Sequence, residues 1–293
     1  MIGIILLMLM VLRNLNHGAI TPMFLPTATP TRTMLSFADE GETYFIAGDL
    51  DRAIEAYRQA VAMDPTNAEL QADLARIMVY SSTLLTVDAE RLARLNDALD
   101  TINKAIEVVP ENSMNHAVKG FVLDWLSGST ADENERQSLL TQAEQEVIYA
   151  IQLDNQNNLA LAYYAEILVD QQKWIQAEQN IRQALERAPE LMDVHRINGY
   201  VQESLGNYNQ AISEYEEAIR INPNLTFIYL RIGANYRRLA AQGSPTIENP
   251  LYIKALEYFE KAAIINEQLG VNDPIPYFSI ATTYTQTGEF FSA

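Results

Sequence analysis

VHRINGYVQESLGNYNQAISEYEEAIRINPN, residues 194–224, reads as two amphipathic helices joined by a tight turn. In its first half His195, Gly199 and Gln202 recur at helical spacing; in its second Ala211, Tyr215 and Ala218 do the same. Gly206-Asn207-Tyr208 separates the halves, and Asn222-Pro223 ends the second, because proline has no N–H to continue the ladder. A helix pair this short buries too little to stand alone, so the fold depends on whether its neighbours repeat it.

They do. On the N-terminal side Ala165, Leu168, Ala177, Ile181, Ala184 and Pro189 hold the same places, with Trp174 in the turn. Further out come Gly41, Tyr44, the turn Gly48-Asp49-Leu50, then Ala53, Tyr57, Ala60 and Pro65; Gly41 to Pro65 spans 24 residues, as Gly199 to Pro223 does. The units fall near 34–67, 68–112, 113–157, 158–191, 192–225 and 226–272, with a partial one at 273–293. Pro65 to Pro110 and Pro110 to Asn155 are each 45 residues, so insertions interrupt the 34-residue period near 81–96 and 127–138, and again near 241–250. The first is expected to lengthen the first helix or the loop, and the acidic second to form a solvated excursion. Small residues in register at Gly41, Ala75, Gly120, Ala165, Gly199, Gly233 and Ala281 let backbones approach, while Tyr57, Ile102, Val147, Ile181, Tyr215 and Phe259 fill the space between helices.

This pattern resembles the tetratricopeptide repeat (TPR) family, whose unit is 34 residues long. The resemblance implies an all-α, right-handed superhelical solenoid of about six complete repeats plus a truncated seventh. Ala293 aligns with Ala211 and Ala53, inside a repeat, so a fragment or a partner covering the open end is expected. The family usually binds ligands in the groove lined by the first helices. Mapped by spacing, that groove holds Glu42, Phe45, Arg76, Val79, Phe121, Asp124, Glu166, Val169, Arg196, Tyr200, Glu203, Leu230, Ala234 and Arg237. The partner-binding candidates are Phe121, Asp124, Trp125, Arg196, Tyr200, Glu203, Phe227, Arg231 and Arg237: aromatic side chains as anchors, arginines to pair with carboxylates. Arg196, Tyr200 and Glu203 lie nearest the middle of the array. Ala38, Ala72 and Ala117 stand at positions equivalent to the Lys and Asn set of chaperone-binding members, which argues against a chaperone adaptor.

Composition narrows the partners. With 20 Lys and Arg against 38 Asp and Glu the net charge is −18, which repels nucleic-acid phosphates and anionic lipid surfaces. There is no cysteine, hence no disulfide framework and no thiolate chemistry. No nucleophile, phosphate-loop, dinucleotide or zinc-protease motif occurs. Neither an enzyme, a cofactor nor a metal is expected. His17, His116 and His195 read as half-buried packing residues, Asp132, Glu133 and Glu135 as a solvated loop, and Asn224-Leu225-Thr226 as an isolated glycosylation tripeptide.

The first twelve residues, MIGIILLMLMVL, form an apolar run with three readings: the core of a signal peptide, a membrane anchor, or a helix packed on a partner. The anchor is favoured, although Arg13 after the run argues for a cytoplasmic sequel. Residues 13–33 read as a Thr/Pro-rich linker. Apolar run and stalk together resemble an envelope-anchored bacterial protein, with the repeats on the extracytoplasmic side; a cytoplasmic chain starting at Met34 is the alternative. The function expected is a non-enzymatic scaffold holding a peptide, helix or subunit in its groove. Two rivals stand beside it: a homo-oligomeric or filament-forming structural protein, and the substrate-recognising part of an enzyme whose catalytic domain lies beyond residue 293.

Overall fold

The computed structural model describes residues 1–16 and 32–289. Most of the Thr/Pro-rich linker, with His17, and the last four residues lie outside them. The described residues form fourteen α-helices and no strand, in two separate units, Met1–Thr33 and Met34–Ala293.

The first unit contributes α1 (Ile2–Asn16), 15 residues long. At 1.5 Å per residue it reaches about 22 Å, short of a hydrocarbon core of roughly 30 Å. No helix among the described residues is long and apolar enough to cross a membrane, which corrects the expectation of a transmembrane helix. The side chains of its first ten residues are nonetheless apolar and exposed, Ile2 by 78% and Leu7 and Met8 by 67% each.

The second unit is an all-helical solenoid of paired helices. The pairs are α2 (Met34–Ile46) with α3 (Leu50–Met63), α4 (Ala68–Ser82) with α5 (Asp88–Val108), and α6 (Ser113–Ser127) with α7 (Glu133–Leu153). Then come α8 (Asn158–Asp170) with α9 (Trp174–Arg187), α10 (Met192–Ser204) with α11 (Tyr208–Ile221), α12 (Thr226–Ala240) with α13 (Pro250–Leu269), and finally α14 (Ile275–Thr287). Side-chain oxygens of Asn67, Asn112 and Asn157 cap the helices that follow them by accepting backbone N–H bonds that the first turn leaves unsatisfied. The turns inside repeats pass through the left-handed region at Gly48 (φ 78°) and Gly206 (φ 80°); the fourth repeat places Gln172 there instead (φ 62°).

Within a repeat the helices close because glycine stands where a side chain would collide. A Cβ on Gly41 would lie 2.4 Å from the Tyr57 ring, one on Gly199 2.7 Å from Tyr215, and one on Gly233 2.5 Å from Phe259. The first two insertions turn out to be helix more than loop, whereas residues 241–249 of the third form turns that lead into α13. α5 and α7 have 21 residues and α13 has 20, against 14 in each of α3, α9 and α11. In the acidic stretch Asp132 accepts the N–H groups of Asn134 and Glu135, and Glu133 and Glu135 lie at the positive end of the helix dipole, so this stretch starts a helix early.

Successive repeats are clasped through the closing prolines, whose carbonyls have no helical partner. Gln71 donates to Pro65 O (2.7 Å), His116 Nε2 to Pro110 O (2.8 Å), His195 Nε2 to Pro189 O (2.8 Å) and Tyr229 OH to Pro223 O (2.6 Å), each six residues back. The other ring nitrogens, Nδ1 of His116 and of His195, reach Glu146 (2.6 Å) and Glu214 (2.7 Å). The two histidines therefore tie a helix start to the loop before it and to the second helix of the same repeat.

Candidate functional site

The first helices α4, α6, α8, α10 and α12 face one another across the inside of the solenoid, and the array closes on itself. The turn at Gly48 in the first repeat abuts Asn224 at the end of the fifth, so closely that a Cβ on Gly48 would lie 2.5 Å from the Asn224 Cβ. Arg76 donates to Asp193, 117 residues on, at 2.9 Å; Tyr80 donates to the same carboxylate, and its ring stacks on Phe227 with centroids 5.8 Å apart.

Polar side chains of α8 and α10 pair across the inner face at a constant offset of thirty residues. Tyr163 donates to Asp193 (3.2 Å), Arg196 forks onto both oxygens of Glu166 (2.6 Å each), and Tyr200 donates to Asp170 (2.5 Å). The Arg196 guanidinium also lies 5.6 Å from the Tyr80 and Phe121 ring centroids and 5.9 Å from that of Trp125. Nearby, Glu203 accepts from Tyr215 (3.0 Å), Arg231 (3.1 Å), Asn235 (3.0 Å) and Arg238.

The electrostatics follow from burial. Burial alone would raise the Asp193 and Glu203 carboxyls, but Arg76 and Arg196 beside the first, and Arg231 and Arg238 beside the second, hold both below the usual carboxylate range. Asp124 goes the other way: burial, then the neighbouring Asp170 and Glu166, push it well above its ordinary value. Asp170 is pushed up to about 6, chiefly by burial, against the opposing hydrogen bond from Tyr200. The buried Tyr80 and Tyr163 hydroxyls are raised as well, so both remain protonated donors.

A cavity of about 280 Å³ opens among these side chains. Asp124, Glu166 and Asp170 line its acidic side, Trp125, Tyr200 and Phe227 its aromatic side, and Arg91, Ser129 and Arg231 are also among the residues around it. Of the candidates read from the sequence, Asp124, Trp125, Arg196, Tyr200, Phe227 and Arg231 meet at this cavity. Phe121 is fully buried beneath it, stacked on Tyr163 with centroids 4.4 Å apart. Glu203 joins through Arg231, whereas Arg237 is elsewhere, donating to Ser279 O (3.3 Å) and lying over the Phe259 ring. Reading by spacing missed Tyr80, Tyr163, Asp170 and Asp193. One signal for three of them was present: Tyr163 with Asp193 and Asp170 with Tyr200 repeat the thirty-residue offset of Glu166 with Arg196. Among the described residues, no group of three acidic or histidine side chains is placed to hold a metal ion.

Family models match two stretches, one described as TPR repeat over residues 41–79 and one as tetratricopeptide repeat over 164–225. A thermophilic TPR protein from Thermus thermophilus is similar in structure, with 17% identity and a TM-score of 0.55 over 69% of this chain and 98% of that one. Human IFIT1, as a dimer with m7Gppp-AAAA, is similar at a TM-score of 0.60 and 18% identity, over 87% of this chain and 56% of that one. The chain thus spans little more than half the length of IFIT1. No curated protein matches the sequence. Together the repeat matches and these neighbours support a TPR-type helical scaffold, a class that generally binds proteins or peptides and is generally not catalytic.

Proposed function

We propose that this chain is a non-enzymatic interaction scaffold whose inner face takes a narrow element of a protein partner, a single side chain or a chain terminus, in the cavity beside Asp124 and Trp125. The observation that carries this is closure. Arg196 is 4% exposed with both terminal nitrogens on Glu166, and Tyr80, Phe121 and Tyr163 fill the space where an extended peptide would lie. Among the described residues a cavity stays open on this face, lined by three carboxylates, three arginines and aromatic rings. A capped RNA of the kind held by IFIT1 is disfavoured here, since the net charge is −18 and the three arginines that line the cavity are matched by three carboxylates.

The apolar, exposed α1 supports a second part of the proposal, attachment to a membrane surface through the N-terminal segment. Selection of displayed peptides on the full chain tests the first part: the enriched peptides should lose binding to the Trp125→Ala variant while its helical circular dichroism stays intact. Equal binding to both proteins overturns the cavity as the site. Flotation with neutral liposomes tests the second part, expected for the full chain and lost on deletion of residues 1–16; a chain that stays in the aqueous layer overturns it.

A further inference from the structure

The charges around the cavity do not all have partners. Arg196 is neutralised by Glu166 through two hydrogen bonds, and Arg231 is committed to Glu203 and the Tyr200 ring, its side chain 47% exposed and so screened by water. Asp170 accepts only the neutral Tyr200 hydroxyl at 2.5 Å, and Asp124 remains. Asp124 is 2% exposed, lines the cavity, and its Oδ1 accepts no hydrogen bond among the described residues. A buried carboxyl oxygen without a donor is costly, and a carboxyl group in this state calls for a cation that brings N–H groups with it.

We propose that this cavity takes a primary ammonium group, delivered as a lysine side chain of the partner, with Asp124 and Asp170 as counter-ions and Trp125, Tyr200 and Phe227 against its methylenes. The inference rests on the reading of the inner face as the partner-binding site. Size fits: at about 280 Å³ the cavity is at the small end of ligand pockets, which run roughly from 300 to 1,000 Å³, and accommodates one side chain. An ammonium supplies three donors, enough for Asp124 Oδ1 and for Asp170, and aromatic walls favour both its charge and its stem.

Proton balance gives a second readout. Asp124 and Asp170 are close enough to hydrogen bond through one shared proton while the cavity holds no cation. An arriving R–NH3+ takes the place of that proton, which leaves to solvent, so binding releases one proton and the net charge of the site is unchanged. The groups facing the pair are Glu166 from α8, Arg196 and Tyr200 from α10 and Arg231 from α12, with the Arg136 charge of α7 also acting on Asp170. Affinity should therefore fall as the solution is acidified, roughly tenfold per pH unit for the one proton released, and more steeply below about 6, where Asp170 takes up a proton of its own.

Calorimetric titration of the full chain with Nα-acetyl-lysine N-methylamide, its uncharged norleucine counterpart and cadaverine tests this. The lysine derivative should bind in the millimolar range or tighter, with proton release visible as a dependence of heat on buffer ionisation, and the norleucine derivative should not. Asp124→Asn and Asp170→Asn should each weaken binding at least tenfold with unaltered helical circular dichroism. Equal binding of norleucine, or undiminished binding by both variants, overturns the inference. Binding of cadaverine alone overturns the lysine assignment and the partner-binding reading together. If neither amine binds while displayed peptides still do, only the present inference falls.

Discussion

The seams inside the repeats and the inner face of the solenoid are built by opposite means. A seam is local and apolar: Gly41 meets Tyr57, and Gly199 meets Tyr215, sixteen residues apart in both cases. The inner face is long-range and polar: Asp193 receives Arg76 and Tyr80, 117 and 113 residues away, and Arg196 is held by Glu166 in a setting almost free of water. Seams pair the two helices of one repeat, and each repeat then stacks on its neighbours. The inner face instead couples the second repeat to the fifth and sixth, which turns a quasi-linear array into a closed one. A scaffold closed in this way has a confined cavity on its inner face in place of a broad groove.

The largest effect should come from breaking the buried ion pair. Arg196→Ala leaves Glu166 buried and uncompensated, and should cost about 3–5 kcal/mol in chemical denaturation, whereas replacing both by apolar residues of similar volume should restore most of it. A loss below about 1 kcal/mol for the single variant would mean that the inner face is wetter than its geometry implies.

Closure itself can be isolated by two alanines. Gly48→Ala and Gly206→Ala both force a residue with a Cβ into positive φ, but only Gly48 faces Asn224, while Gly206 has nothing within 4 Å. The first should cost more than the second by about 1–3 kcal/mol, the penalty of overpacking. Equal losses would show that the contact between first and fifth repeats carries no stability.

The seam side offers a gain. Gln172→Gly relieves a left-handed residue at the turn where other repeats use glycine, and should stabilise by about 1 kcal/mol, read as a raised melting temperature. The smallest effect concerns the proline clasps. The hydrogen bond to Glu214 raises His195 above its ordinary 6.5, outweighing burial, with Pro189 O adding to it. A raised histidine gives stability that is complete below the unfolded value and is lost as pH rises through the folded one. The difference in stability between the wild type and His195→Gln should therefore shrink from about pH 6 toward alkaline pH; a difference that is flat or grows would contradict a charged clasp.

The repeats were legible in the sequence because they rest on short-range spacing. A small residue, an aromatic residue and a proline at fixed intervals mark the seam without reference to anything distant, and the helix boundaries follow from Asn caps and glycine turns. The candidate site was legible in part. First-helix positions such as Asp124, Arg196 and Tyr200 were found because family spacing points inward there. Asp193 was missed because it stands at the first turn of α10, before the positions that spacing assigns to the groove, and its partners Arg76 and Tyr80 are three repeats away. The acidic stretch around Asp132 was misread as a solvated loop because charge alone does not distinguish a loop from a capped helix start.

The sequence by itself determined an all-helical TPR-type array, which helices pair within a repeat, and an acidic, cysteine-free surface, since these depend on residue types and intervals of a few helical turns. Only the tertiary structure decided that the inner face closes, that Arg196 faces Glu166 and not an open groove, and that Asp124 Oδ1 is left without a donor beside Asp170. Small rotations between successive repeats add up along the array, and that sum, which no local interval encodes, brings the second repeat to the fifth and sixth and the first to the end of the fifth.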